Sequence, residues 1–151
     1  MQQSKRKLFY SGKKKRHTIK TQLLVNNHGI IIHKIGYKKD RRHDYDIYKK
    51  NQSFTPKEVV NVYNLGYLGV ENDFPEQLSS IPKRKKRNLE IFKEERDHTK
   101  DHAKRRIVVE DTICRLKKYR IFADIFRNKL RKYDKVSDII SGLVNYRIMT
   151  S

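Results

Sequence analysis

A carboxylate set into the apolar face of a cationic helix is a candidate ligand for a divalent metal, and Glu110 has that setting. The stretch Arg105-Arg106-Ile107-Val108-Val109-Glu110-Asp111-Thr112-Ile113-Cys114-Arg115-Leu116-Lys117-Lys118-Tyr119 contains no glycine or proline. At about 100° per residue, Val109, Ile113 and Leu116 form one apolar stripe and Ile107, Cys114 and Ile121 a second, with Glu110 between them. Asp111 points instead toward Arg115 and Lys118, where a carboxylate is an ordinary i, i+4 partner on a solvated face. A Glu at the edge of a buried face needs a cation, a metal or hydrogen bonds. Taken alone, the helix leaves two readings open: a metal ligand, or a half-buried Glu paired with Lys117 or Arg106, the second being the simpler.

The elements that would position such an acid belong to one domain of 151 residues, with an apolar fraction of 36% that predicts a modest core. Thirty-seven Lys and Arg against 17 acids give a net charge of +20. That excess points to a polyanionic partner, nucleic acid before an anionic membrane surface. No apolar run approaches the ~20 residues of a spanning helix and no signal-peptide pattern opens the chain, so no membrane partner and a cytoplasmic location, nucleoid-associated in a prokaryote, are expected. Cys114, the one cysteine, has no partner for a disulfide or a zinc site and reads as a small core residue. Nine tyrosines suit a core rim or base stacking.

Residues 1–17 form a basic arm, with Lys13, Lys14, Lys15 and Arg16 as its densest cluster, suited to facing phosphates or to solvation as a free tail. Two β-branched runs around Asn26-Asn27-His28-Gly29 predict a hairpin over 18–37. Arg41 and Arg42 close a basic cluster before Asp44-Tyr45-Asp46-Ile47-Tyr48-Lys49-Lys50, which reads as a short helix with an acid at its N-cap. Residues 59–64 read as a short buried strand that ends at Asn64, and the glycines of Leu65-Gly66-Tyr67-Leu68-Gly69-Val70 read as a tight exit loop. Lys83, Arg84, Lys85, Lys86 and Arg87 form a second basic run in a loop or solvated linker. A helix, single or in two abutting pieces, is expected over about 89–119 with Glu110 near its inner end. Arg127, Lys129 and Arg131 form a further basic patch before a terminal helix over about 136–148, whose Ile139, Ile140, Leu143 and Val144 make an apolar stripe.

Three motifs in this order resemble the catalytic domain of DDE-type insertion-sequence transposases. Tyr10-Ser11-Gly12-Lys13-Lys14-Lys15-Arg16-His17-Thr18 is similar to the segment that follows the family's first catalytic aspartate. Asn64-Leu65-Gly66-Tyr67-Leu68-Gly69 resembles the family's Asp-x-Gly-Tyr-x-Gly motif, whose Asp is the second acid. Arg106-Ile107-Val108-Val109-Glu110 with Arg115-Leu116-Lys117 resembles the helix of the third acid, and Phe126-Arg127-Asn128-Lys129 its basic tail. The resemblance spans nearly the whole chain.

It implies an α/β, RNase H-like mixed sheet with flanking helices, DNA as partner, and three acids binding Mg²⁺ or Mn²⁺ for strand cleavage and transfer. This chain departs from the pattern twice: it opens downstream of the first aspartate, and the second is an amide, Asn64. Glu110 is then the remaining catalytic and metal-binding acid, and Asp44, from a His43-Asp44 pair resembling an accessory pair of related transposases, is a weak substitute. The expected fold lacks its first central strand, and metal binding should be weak or absent. The first expectation for function is a truncated, inactive transposase remnant that binds DNA through Lys13, Lys14, Lys15, Arg16, Arg41, Arg42, Lys83, Arg84, Lys85, Lys86, Arg87, Arg127, Lys129 and Arg131. The alternatives are the active downstream half of a split or frameshifted transposase, completed by an N-terminal fragment, and a small basic nucleic-acid-binding accessory protein. A homo-oligomer is left open.

Overall fold

The computed structural model describes residues 10–11, 16–39, 43–51, 55–82, 93–124 and 129–151. In chain order these form β1 (Tyr10–Ser11), β2 (Arg16–His17), β3 (Ile19–Val25), β4 (Ile31–Lys39), α1 (Asp44–Lys50), β5 (Asn61–Val62), α2 (Val70–Asp73), β6 (Ser79–Ser80), α3 (Lys93–Lys117), α4 (Arg120–Ala123) and α5 (Tyr133–Met149). The fold is mixed α/β, with three two-stranded sheets: β1–β2 and β3–β4 antiparallel, β5–β6 parallel.

The β3–β4 hairpin turns where the Asn-Asn-His-Gly sequence favours it. Asn26 Oδ1 accepts from the backbone of His28 and Ile30, and Gly29 takes the left-handed conformation at φ 84°. The hydroxyl of Thr112 on α3 donates to Gly29 O at 2.9 Å, which seats the turn on the long helix. Beneath the hairpin Ile31, Leu116 and Val144 form the core, with Leu23, Val25, Tyr119, Phe122, Ile140 and Ile148 packed around them.

The outer edge of β4 is closed by side chains of α5. Ile31 N donates to Asn145 Oδ1 at 2.8 Å, Asn145 Nδ2 donates to Ile31 O at 2.9 Å, and Tyr37 N donates to Asp134 Oδ1 at 3.0 Å. These bonds satisfy backbone groups that would otherwise template another strand. Lys34, with a side chain only 8% exposed, is compensated by Asp138 at 3.0 Å, Asp134 at 3.6 Å and the Ser137 hydroxyl at 2.7 Å.

Several elements differ from the sequence expectation. The strand foreseen over 59–64 is limited to Asn61–Val62, because Pro56 starts a turn in which Val59 N donates to Pro56 O, leaving Val59 and Val60 exposed. The 59–64 run therefore contributes two ladder positions, Asn61 opposite Ser79 and Val62 opposite Ser80. The loop after Asn64 is a 3-10 turn (Leu65–Tyr67) followed by α2. Asp44 is the first helical residue of α1, and the cap position is His43 with no side-chain cap bond.

α3 is one helix, but its buried face centres on Thr112 and Leu116, so the second stripe of Ile107 and Cys114 is exposed. Cys114 is a surface residue, not a core one. On α5 the buried positions are Tyr133, Ser137, Ser141 and Val144, whereas Ile139 and Leu143 face out at 65% and 50% exposure. Small hydroxyl residues let α5 approach closely, and their polar atoms are satisfied within the helix: Ser141 donates to Ser137 O and Ser137 to Asp134 O. Among the described residues no helix is long and apolar enough to cross a membrane.

Leu116→Ala should lower unfolding free energy by about 2–5 kcal/mol, since it empties the centre of the core. Cys114→Ala, two residues away on the exposed side, should stay within about 0.5 kcal/mol of the parent. Urea unfolding midpoints of the two variants measure this difference.

Candidate functional site

The loop after β5 is fixed from both sides. β5 enters it through two parallel ladder bonds, Asn61 N to Leu78 O at 2.8 Å and Tyr63 N to Ser80 O at 2.9 Å. Asn64 leaves the strand in extended conformation, and its Oδ1 accepts from Gly66 N at 2.8 Å while its carbonyl accepts from Tyr67 N at 3.0 Å. This Asx cap starts the 3-10 turn. Gly66 suits the close approach, because a Cβ there would lie a tight 3.0 Å from Asn64 Oδ1; Gly69 is favoured by its φ of 97° at the entry to α2.

Tyr67, in the middle of the motif, holds the loop to two other elements. Its hydroxyl accepts from Gln22 Nε2 of β3 at 2.9 Å, and the same amide donates to Asp44 O at 2.6 Å. Its ring packs among Tyr45, Tyr48 and Tyr63, with centroids 6.3, 5.8 and 5.5 Å away, and the Tyr48 and Tyr63 hydroxyls are 2.6 Å apart. Burial pushes the Tyr67 hydroxyl up to about 12 and raises that of Tyr63 as well, with the Tyr48 hydroxyl bond adding to it. Both stay neutral near pH 7 and hold the loop as hydrogen-bonding anchors. Tyr45 bonds Asp73, whose carboxyl is lowered first by its bond to Lys49 at 2.6 Å.

The long helix reaches this loop through His102. Its Nε2 lies 2.8 Å from Tyr63 O, the carbonyl just before Asn64, and the ring is buried. The sequence reading missed this residue. Its signal was helical phase: His102 stands about four turns from Leu116 and therefore shares the buried side.

Glu110 lies on another side of α3. It is two residues, about 200°, from buried Thr112, its side chain is 54% exposed, and it pairs with Arg106 Nη2 at 2.8 Å. The simpler of the two sequence readings thus describes its immediate partner. Along the helix it is about 12 Å beyond the His102 contact, at ~1.5 Å per residue. Asp44 pairs with Lys20 at 3.2 Å.

Among the described residues, no set of side chains is brought together as a divalent-metal centre. Asn64 uses its side-chain oxygen on Gly66 N, Glu110 is occupied by Arg106, and no group of three His, Cys, Asp or Glu among the described residues could hold an ion. Of the expected DNA-contacting residues, Lys129 and Arg131 are exposed, Lys129 just before and Arg131 within the 3-10 turn Leu130–Lys132, and Arg16 lies in β2. Lys13, Lys14, Lys15, Arg41, Arg42, Lys83, Arg84, Lys85, Lys86, Arg87 and Arg127 lie outside the described residues.

Comparison with known proteins gives a consistent result. The family model described as DDE superfamily endonuclease matches residues 1–145. The chain is 31% identical over 142 residues to a protein of Microchaete diplosiphon described as a probable transposase for insertion sequence element IS702, covering 94% of this chain and 51% of that protein. The chain thus spans about half the length of the curated relative it matches. No solved structure matches.

Proposed function

Because this chain belongs to the DDE superfamily of endonucleases, we propose that it is an inactive remnant of an insertion-sequence transposase that binds DNA and does not cut it. Endonucleases of this superfamily depend on divalent metal, and two divalent cations are held together only by several anionic oxygens. Asn64 stands at the position of the second family acid and Glu110 at the third. The observation that carries the reading is their present engagement: an amide fixed on Gly66 N, and a carboxylate neutralised by Arg106 on an exposed helix face.

The fold is read as an RNase H-like mixed sheet with flanking helices; in support, the described residues combine antiparallel and parallel strand pairs with helices. The protein works on DNA in the cytoplasm, with Lys129 and Arg131 and the basic clusters at 13–16, 41–42, 83–87 and 127 contacting phosphates.

The purified chain, incubated with supercoiled DNA and Mg²⁺ or Mn²⁺, should leave the DNA intact. Metal-dependent nicking that disappears in Glu110→Ala would contradict the remnant reading and make Asp44 the leading candidate for the missing ligand.

A further inference from the structure

The turns of α3 before His102 present a polar surface, and its charges suggest a role for it. Residues 96–101 are exposed at every position, and His102 is the first of this segment to be buried. A helical segment that is polar all round is not held by a core, so its composition is free to serve another surface.

The cations on it divide into two groups. Arg105, Arg106 and Arg115 are each matched with an acid one turn away: Asp101 at 2.9 Å, Glu110 at 2.8 Å and Asp111 at 2.9 Å. Arg96, Lys100 and Lys104 are exposed and form no ion pair among the described residues. They recur every four residues, so they share one helix face at about 6 Å intervals along the axis. Of the four acids in this half of α3, Glu94 and Glu95 precede the row in sequence, Asp97 lies on its flank, about 100° round from Arg96, and Asp101 is held by Arg105.

We propose that Arg96, Lys100 and Lys104 make the first half of α3 a docking surface for the phosphate backbone of duplex DNA. The proposal rests on the DNA-binding reading above and gives it a location the sequence did not single out, since the expected contacts were all in arms and loops. A regular row of unpaired cations on a rigid rod suits a regular row of phosphates, and such contacts position a protein without reading sequence. An anionic membrane is the poorer partner: a helix lying on a bilayer needs an apolar face, and from 96 to 106 the only apolar residue is Ala103.

The test is fluorescence anisotropy with the full chain and a random-sequence duplex across about 50–200 mM salt, where each phosphate contact contributes about 0.9 to the slope of log affinity against log salt. The triple variant Arg96→Ala, Lys100→Ala, Lys104→Ala should lose about 2–3 from that slope. A control that removes the same charge from other exposed positions, Lys50→Ala, Lys57→Ala, Lys135→Ala, should lose less than about 1. Alanine favours helix, so the triple variant keeps the element under test. In the parent chain, amide exchange at 96–101 should slow when DNA is added. A triple variant that binds like the parent, a control that loses as much, or exchange at 96–101 unchanged by DNA would overturn the assignment while leaving DNA binding intact. If the parent chain binds no duplex at low salt, both the assignment and the functional reading fall.

Discussion

Duplex DNA should bind this chain with little regard to sequence, and the affinity should fall by about 10³- to 10⁵-fold as salt rises from about 50 to 200 mM. The expectation follows from the distribution of the +20 charge. It is carried by lysine and arginine clusters whose side chains offer charge to phosphates, and the α5 face turned to solvent presents Ile139 and Leu143 where a groove-reading helix would present polar side chains. Six to ten phosphate contacts drawn from these clusters would give a slope steep enough for the stated loss. Titrating a random duplex and a terminal inverted-repeat duplex over the same salt range checks it. A large preference for the repeat, little changed by salt, would reveal a base-reading element and contradict the proposal that the clusters act as positioning contacts alone.

Local chemistry made part of the architecture legible. The Asn26-to-Gly29 turn, the uninterrupted helical composition up to Lys117 and the terminal helix can each be read from turn residues, the absence of helix breakers and spacing. Polar atoms buried with local partners were harder to read. Thr112 is almost completely buried because its hydroxyl reaches both Gly29 O and Val108 O, yet a count of apolar residues treats it as surface and displaces the whole buried face of α3. That displacement gave Cys114 and Ile107 a core role and put Glu110 at the edge of a buried face. Ser137 and Ser141 shifted the expected face of α5 in the same way.

At the candidate site, the motif from Asn64 to Gly69 could be recognised by resemblance. What holds it could not, because Tyr67 is anchored by Gln22, 45 residues away, and the loop meets α3 through His102, 39 residues from Tyr63. Helical phase marks His102 as buried, but nothing local marks which distant partner it meets. Val59 and Val60 show the converse: β-branched residues read as a strand, but the proline turn before them takes the backbone first.

On the proposed reading, cleavage by this chain should need two changes together, and the two can be introduced independently. Asn64→Asp keeps the cap on Gly66 N, because a carboxylate oxygen accepts that bond as an amide oxygen does. It also adds a second, anionic oxygen at the end of β5. Mn²⁺ should therefore bind this variant more tightly than the parent, since a new carboxylate binds a hard cation where an amide offers only a dipole. Cleavage should still be absent, because two acids do not offset two divalent charges. An upstream segment from a related transposase, bearing that family's first aspartate on its strand, brings a third acid, but with Asn64 in place the set stays incomplete.

The most direct measurement is Mn²⁺-dependent nicking of supercoiled DNA by four forms: the chain with and without that upstream segment, each with Asn64 or with Asn64→Asp. Nicking confined to the form that carries both the segment and Asn64→Asp is the result predicted here, whereas nicking by the form that carries the segment and keeps Asn64 would identify a working split enzyme and contradict the remnant account.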